Sequence, residues 1–243
     1  MSEKTAILFD IGRFRNTDGP GIRTILFFKG CPLRCRWCSN PFGLAARPQL
    51  AVNREKCTGC GMCEKVCSHG VNTVVPGERV TVNFSACVQC GACVTLCAAK
   101  ARMIAGKAYT AQQLYREAAK DAAFYRKGGG GVTLSGGEVL LQHEVAAETL
   151  RLCRANYINT CIETSAFAPW EQLWAVAQHC NTVFVDLKAM DSGKHKELTG
   201  VPNERILQNI EKLCEELSKK GGRVIVRMPL VPGYHDSEEE VAA

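Results

Sequence analysis

No stretch of this chain stays apolar for the roughly 18–20 residues that a membrane-spanning helix needs. The N-terminus, Met1-Ser-Glu-Lys-Thr5, opens with an acid and a base and has no long apolar core behind it, so it does not read as an export signal. These absences argue against a helical membrane protein and a secreted one, and a cytoplasmic chain is expected. A strong excess of one charge is also missing. Thirty Lys and Arg stand against 24 Asp and Glu, a formal net charge of +6. That mild balance suits solubility, or a basic face for an acidic redox partner; no motif supports nucleic-acid binding. The five histidines, His69, His143, His179, His195 and His235, show no ligand spacing and are expected at the surface or at helix ends. What remains is an ordinary globular composition, 46% hydrophobic and 22% charged over 243 residues, enough for one large domain or two smaller ones.

Cysteine is what the chain has in excess: 15 residues, eleven of them in three tight clusters. In a secreted protein they would suggest disulfides. Neighbours two or three apart do not sensibly pair with each other, but they can converge on a metal centre. The other four, Cys153, Cys161, Cys180 and Cys214, are scattered through apolar segments, where a lone cysteine acts as a small hydrophobe.

The chain reads as one α/β body with an insertion. Thr24 to Phe28 is a short apolar run, hence a buried strand. From about Ala46 to Gly106 the character changes to cysteine- and glycine-rich sequence with little helical periodicity. Alternation then begins. Thr110 is a candidate N-cap for a helix running to about Lys127. Further helices are predicted over 144–156, 169–179 and 203–220. Strands are predicted over 132–134, 158–163, 182–187 and 223–228. Five strands separated by helices imply parallel βα units, with function at the carboxyl ends of the strands.

One repeat lies inside the insertion. Cys57-Thr-Gly-Cys60-Gly-Met-Cys63-Glu-Lys-Val-Cys67 recurs as Cys87-Val-Gln-Cys90-Gly-Ala-Cys93-Val-Thr-Leu-Cys97, with identical spacing. Zinc sites more often pair two-cysteine units across longer gaps, so this spacing favours iron–sulfur. Over roughly 53–102 it resembles the bacterial two-cluster ferredoxins, whose fourth cysteine crosses to the other cluster. The resemblance implies one [4Fe–4S] cluster on Cys57, Cys60, Cys63 and Cys97, and another on Cys87, Cys90, Cys93 and Cys67. Ser68 and Ala98 stand where that pattern usually has proline. Electron relay and a purely structural role are both open to such a pair.

The first array, Cys31-Pro-Leu-Arg-Cys35-Arg-Trp-Cys38, has no fourth cysteine nearby. Three thiolates on a cubane of four irons leave one iron open, and an open position is what separates a catalytic metal site from a structural one. Trp37 is placed to shield it from water. This spacing after a first strand resembles the signature of radical S-adenosylmethionine enzymes. With Asp18-Gly-Pro-Gly-Ile-Arg23 before it and Ser39-Asn-Pro41 after it, the chain resembles their glycyl-radical-enzyme activating branch, in the subgroup with a two-cluster insertion. The implied fold is a partial, open parallel β/α barrel formed by residues 1–46 and 107–243, interrupted by a ferredoxin-like α+β domain over 47–106. The chain is also expected to stop short of the last βα units of that barrel.

The same resemblance implies a cofactor shell. Gly136, Gly137 and Glu138 follow the second strand, where Glu138 would take the methionyl amine; Val139 replaces the usual proline. Glu163 and Thr164 end the third strand and would help hold a monovalent cation, although the family often has Asp at the first position. Asp186 and Lys188 end the fourth strand, and Arg227 lies in the fifth; a plain ion pair is the alternative for each. The implied function is reductive cleavage of S-adenosylmethionine at the cluster of Cys31, Cys35 and Cys38, giving a 5′-deoxyadenosyl radical that makes a glycyl radical on a partner enzyme. Implied with it are three [4Fe–4S] clusters, a flavodoxin- or ferredoxin-type electron donor, an anaerobic setting and a monomeric chain. Two other readings are a radical enzyme acting on a small molecule and an electron carrier that has lost catalysis.

Overall fold

The structure is a computed structural model and describes residues 3–75, 78–234 and 236. His235 and the tail beyond 236 lie outside the described residues. Two long strands open the chain, β1 (Thr5–Arg15) and β2 (Arg23–Phe28). The insertion contributes β3 (Gln49–Val52), α1 (Met62–Lys65), β4 (Asn72–Thr73), β5 (Thr81–Val82), α2 (Ala92–Thr95) and β6 (Arg102–Ala105). The main body resumes with β7 (Lys107–Thr110), α3 (Ala111–Ala119), α4 (Ala122–Gly128), β8 (Gly131–Gly136) and α5 (His143–Ala155). It continues through β9 (Asn159–Thr164), α6 (Trp170–Ala177), β10 (Thr182–Asp186), α7 (Ser192–Thr199), α8 (Glu204–Ser218) and β11 (Arg223–Arg227). By contacts the chain forms two compact units, Met1–Ala46 with Ala108–Ala243, and Arg47–Lys107.

The larger unit is built on a seven-stranded sheet in the order β11-β10-β9-β8-β2-β1-β7. All five predicted strands are there, as the consecutive parallel run β2, β8, β9, β10 and β11. Among the described residues the sheet does not close, and β11 and β7 are its two edges, so the fold is an open, partial β/α barrel. Side chains alternate across it, as strand geometry requires. Leu26, Leu134, Ile162, Val183 and Val185 point outward into the core, against Leu114, Leu150, Leu173 and Leu213 of the helices. Ile25, Phe27, Ser135, Glu163 and Asp186 face the opposite, concave side.

Three features depart from the sequence expectations. β1 is an eleven-residue strand antiparallel to β2, and its pairing shifts register twice, which breaks the simple alternation a sequence reading looks for. The helix expected over 110–127 is two helices. Its start is capped as expected, by a reciprocal box between Thr110 and Gln113. It breaks at Lys120–Asp121 because Asp121 turns inward to accept from Thr24 Oγ1 and Arg13 Nη1, both at 2.6 Å. Finally, α7 was not foreseen, and His195 within it is buried rather than at the surface.

The smaller unit repeats its sequence pattern in structure. Each array winds through a short helix, α1 or α2, entered by a glycine with left-handed φ (75° at Gly61, 79° at Gly91). Such a φ is costly for any side chain, which is why glycine follows the second cysteine both times. β3 pairs with β6 and β4 with β5, both antiparallel. Among the described residues, no helix is long and apolar enough to cross a membrane.

The isolated cysteines divide. Cys153, Cys161 and Cys180 are buried, while Cys214 lies exposed on α8. Burial pushes the Cys153 thiol up to about 12 and raises Cys180 as well. With so little thiolate at neutral pH, these sites resist alkylation. In cluster-loaded protein at pH 8, iodoacetamide should modify Cys214 within minutes and leave Cys153 and Cys180 unmodified for as long as the chain stays folded. Peptide mapping checks this, and rapid labelling of Cys153 would contradict the packing.

Candidate active site

The carboxyl ends of the parallel strands surround a cavity of about 730 Å3 in the larger unit. That volume falls in the range of roughly 300–1,000 Å3 typical of small-molecule sites. Cys31, Cys35, Cys38 and Trp37 line it from the loop after β2. Gly136, Gly137 and Glu138 line it from β8, Glu163 and Thr164 from β9, Asp186 and Lys188 from β10, and Arg227 from β11. Every residue proposed from sequence for the cofactor shell therefore reaches the same cavity.

The cysteine loop is held from two sides. On one side the turn after β8 is laced to it through the backbone. Gly137 N donates to Phe28 O (2.8 Å), Glu138 N to Gly30 O (2.6 Å), and Gly30 N to Gly43 O (2.7 Å). A Cβ on Gly136 would sit 2.5 Å from Phe28 O, and one on Gly137 would sit 2.3 Å from Gly30 O. These glycines are thus required for the close approach of two protein backbones. On the other side, α7 ends against the loop: Arg34 N donates to Thr199 O (2.6 Å) and Arg36 N to Leu198 O (3.2 Å). His195 secures this end of α7. Its Nδ1 lies 2.6 Å from Val201 O, and Thr199 Oγ1 donates back to His195 O at 2.8 Å. Burial lowers the His195 pKa and favours the neutral ring.

Glu138 is the brace of the turn. It is 1% exposed. Its carboxylate accepts from Thr164 Oγ1 (2.6 Å), Ser165 Oγ (2.6 Å), Ser165 N (2.9 Å) and Leu140 N (3.2 Å). Burial pushes this carboxyl up, and those donors pull it back. Its oxygens accept from the chain itself, a bracing role the sequence reading did not include. Ser165, the next residue after the Glu163–Thr164 pair, was not anticipated.

Across the cavity runs a chain of charges. Lys188 Nζ lies 2.9 Å from Asp186 Oδ2, Arg227 Nη2 lies 2.8 Å from Asp186 Oδ1, and Arg227 Nη1 lies 2.7 Å from Glu163 Oε1. Ser135 Oγ donates to Glu163 Oε2 at 2.6 Å. The register of the parallel strands sets this up, because Asp186 and Arg227 are direct cross-strand partners. Burial raises the Glu163 carboxyl, against the pull of Ser135 and Arg227. The ion pairs held out as the plain alternative therefore exist, and they form part of the cavity wall.

Burial also pushes the Cys31 thiol up to about 12, with Glu138 adding to it, and raises Cys35 against the pull of Lys188. Thiols in such a place stay protonated unless a metal takes the proton's place. The donor set fits a cluster: three cysteines line one partly shielded wall, and the rings of Trp37 and Tyr234 meet there at a tilt, 5.7 Å between centroids.

In the smaller unit, two hollows of about 20 Å3 each carry the remaining sulfurs. One is lined by Cys57, Cys60, Cys63 and Cys97, the other by Cys67, Cys87, Cys90 and Cys93. The fourth cysteine of each array thus stands with the first three of the other.

Residues 85–243 match the radical SAM superfamily model, and residues 56–101 match a 4Fe-4S dicluster domain. The first match begins after Cys38, so relatives aligned over the whole chain carry the comparison for that loop. The choline trimethylamine-lyase activating enzyme of Oleidesulfovibrio alaskensis is 42% identical over 99% of this chain and 77% of its own length. The isethionate sulfite-lyase activating enzyme of the same organism is 37% identical over 98% and 78%. The 4-hydroxyphenylacetate decarboxylase activating enzyme of Clostridioides difficile is 37% identical over 97% and 75%. The chain belongs to the radical SAM superfamily, in its glycyl-radical-enzyme activating branch.

For a radical SAM protein the brace has a measurable role. Glu138→Gln turns one acceptor oxygen into a donor that faces donors. It should cost about 2 kcal/mol of stability in urea denaturation and weaken S-adenosylmethionine binding, whereas Leu141→Ala on the exposed side of the same turn should do neither. An unchanged denaturation midpoint in Glu138→Gln would contradict the brace.

Proposed function

We propose that Cys31, Cys35 and Cys38 hold the catalytic cluster of an activating enzyme, and that the cavity above them takes S-adenosylmethionine. A reduced [4Fe–4S] cluster held there would supply the electron for cleaving S-adenosylmethionine to methionine and a 5′-deoxyadenosyl radical, the species that takes a hydrogen atom from a glycine of the partner enzyme. The single observation carrying this reading is that three thiolates without a fourth, and both cations and both acids of the strand ends, line one cavity.

The chain's own work is binding and positioning. Lys188 and Arg227 present positive charge to the methionyl carboxylate, and Asp186 and Glu163 fix those cations in place while presenting negative charge to the amine. Gly136 and Gly137 hold the turn against the cysteine loop, and Trp37 with Tyr234 limits water on its outer side. Glu163 and Thr164 line the same cavity, where their oxygens would help hold a monovalent cation beside the methionyl carboxylate.

The two hollows of the smaller unit supply four thiolates each, which suits two further [4Fe–4S] clusters, three in all. Because all their ligand positions would be filled, we assign them electron relay from a flavodoxin- or ferredoxin-type donor. We also take the protein to be cytoplasmic and monomeric. The partner is a glycyl radical enzyme, the kind that the relatives activate.

Anaerobic reconstitution, reduction and addition of S-adenosylmethionine should give 5′-deoxyadenosine, and with the right partner a glycyl radical visible by electron paramagnetic resonance. Cys35→Ala should abolish 5′-deoxyadenosine while losing only about one third of the iron, as one cluster of three is removed. Cys60→Ala should keep cleavage with a chemical reductant but slow it at least about tenfold with a protein donor. Full cleavage by Cys35→Ala would overturn the assignment of the catalytic cluster. An unchanged rate for Cys60→Ala with the protein donor would make the inserted pair structural.

A further inference from the structure

Two buried polar atoms of the smaller unit have no hydrogen-bond partner among the described residues, Nη2 of Arg102 and Oδ1 of Asn72. Arg102 opens β6, where its backbone pairs with Val52, and the residue is only 5% exposed. No carboxylate among the described residues lies within ion-pairing distance of it. A buried guanidinium without a counter-ion is costly, and its persistence calls for negative charge nearby.

That charge comes from sulfur on two sides. Arg102 Nη1 lies 3.6 Å from Cys93 Sγ, which belongs to the hollow of Cys67, Cys87 and Cys90. The same side chain walls the other hollow, with Cys57, Cys60, Cys63 and Cys97. Asn72 ties the sets in a second way, since its Nδ2 donates to Cys63 O (2.9 Å) while the residue lines the hollow of the other four cysteines.

We propose that Arg102 is the shared counter-charge of the two inserted clusters and holds the reduction potentials of both above the values their thiolates alone would set. The inference rests on the iron–sulfur reading of the insert. A cubane with four thiolates is net negative and becomes more so when it accepts an electron. A fixed positive charge and an N–H donor to sulfur therefore favour the reduced form. Burial keeps the effect from being screened by water. One guanidinium facing both sets moves both potentials together, which distinguishes this role from tuning of a single cluster.

The test uses the full chain, reconstituted without oxygen, in a Cys35→Ala background so that only the inserted clusters are read. Potentiometric titration followed by electron paramagnetic resonance compares the parent with Arg102→Gln and Arg102→Lys. At the parent's midpoint, Arg102→Gln should show the reduced-to-oxidised ratio falling about tenfold at both clusters, a shift of about 59 mV for one electron. Arg102→Lys, which keeps the charge, should stay within about twofold. Unchanged potentials in fully loaded Arg102→Gln overturn the proposal, and so does a shift at one cluster alone. If Arg102→Gln fails to hold its iron, Arg102→Lys decides: a tenfold loss there overturns the charge account, and parent-like potentials uphold it. Zinc in place of iron in the parent insert would overturn the cluster reading, and this proposal with it.

Discussion

The main body depends on one seam, the backbone lacing between the end of β8 and the cysteine loop after β2. Phe28 O, Gly30 O and Gly43 O accept from Gly137, Glu138 and Gly30 in turn. None of these bonds involves a side chain, so the seam fixes the loop without reference to what the loop carries. It closes only because Gly136 and Gly137 have no Cβ to hold the two backbones apart. Through Glu138 the seam extends to β9, where Thr164 and Ser165 are pinned by the same carboxylate. Three consecutive strand ends and the thiolates are thereby set in one frame before any ligand enters.

Charge placement follows from that frame. Asp186 and Arg227 face each other because parallel register puts them side by side, and Glu163 completes the row one strand over. The acids and cations satisfy one another in the free chain, at partial burial where such pairs hold their geometry. A zwitterionic ligand end can then exchange partners with groups already aligned, and little reorganisation is needed. The smaller unit solves a different problem. Eight thiolates crowd two small hollows, and the basic side chain standing between them is one that a sequence reading passes over.

Much of this was legible in the sequence. The five parallel strands announced themselves as short β-branched and aromatic runs separated by amphipathic stretches. The three arrays were set apart by spacing alone, and the strand-end acids stood out because charge rarely follows a buried strand without purpose. What stayed hidden were interactions between distant segments. β1 pairs antiparallel with β2 through register shifts that blur its alternation. Asp121 breaks a helix in order to reach Thr24 and Arg13, and nothing local signals it. His195 read as a surface residue because a polar helix gave no hint that its end would be buried against the loop of Arg34 and Arg36. Glu138 was found in its place, and only the fold reveals that Thr164, Ser165 and Leu140 donate to its oxygens.

The central claim is that S-adenosylmethionine binds at the one cluster whose iron the protein leaves open. Electron paramagnetic resonance of the reduced, fully loaded protein, recorded with and without S-adenosylmethionine, tests it most directly. The account predicts that the cofactor changes one cluster signal, that this is the signal missing from protein lacking the Cys31, Cys35 and Cys38 thiolates, and that the remaining signals stay as they were. A spectrum indifferent to the cofactor would contradict it, as would a change that survives removal of those three thiolates.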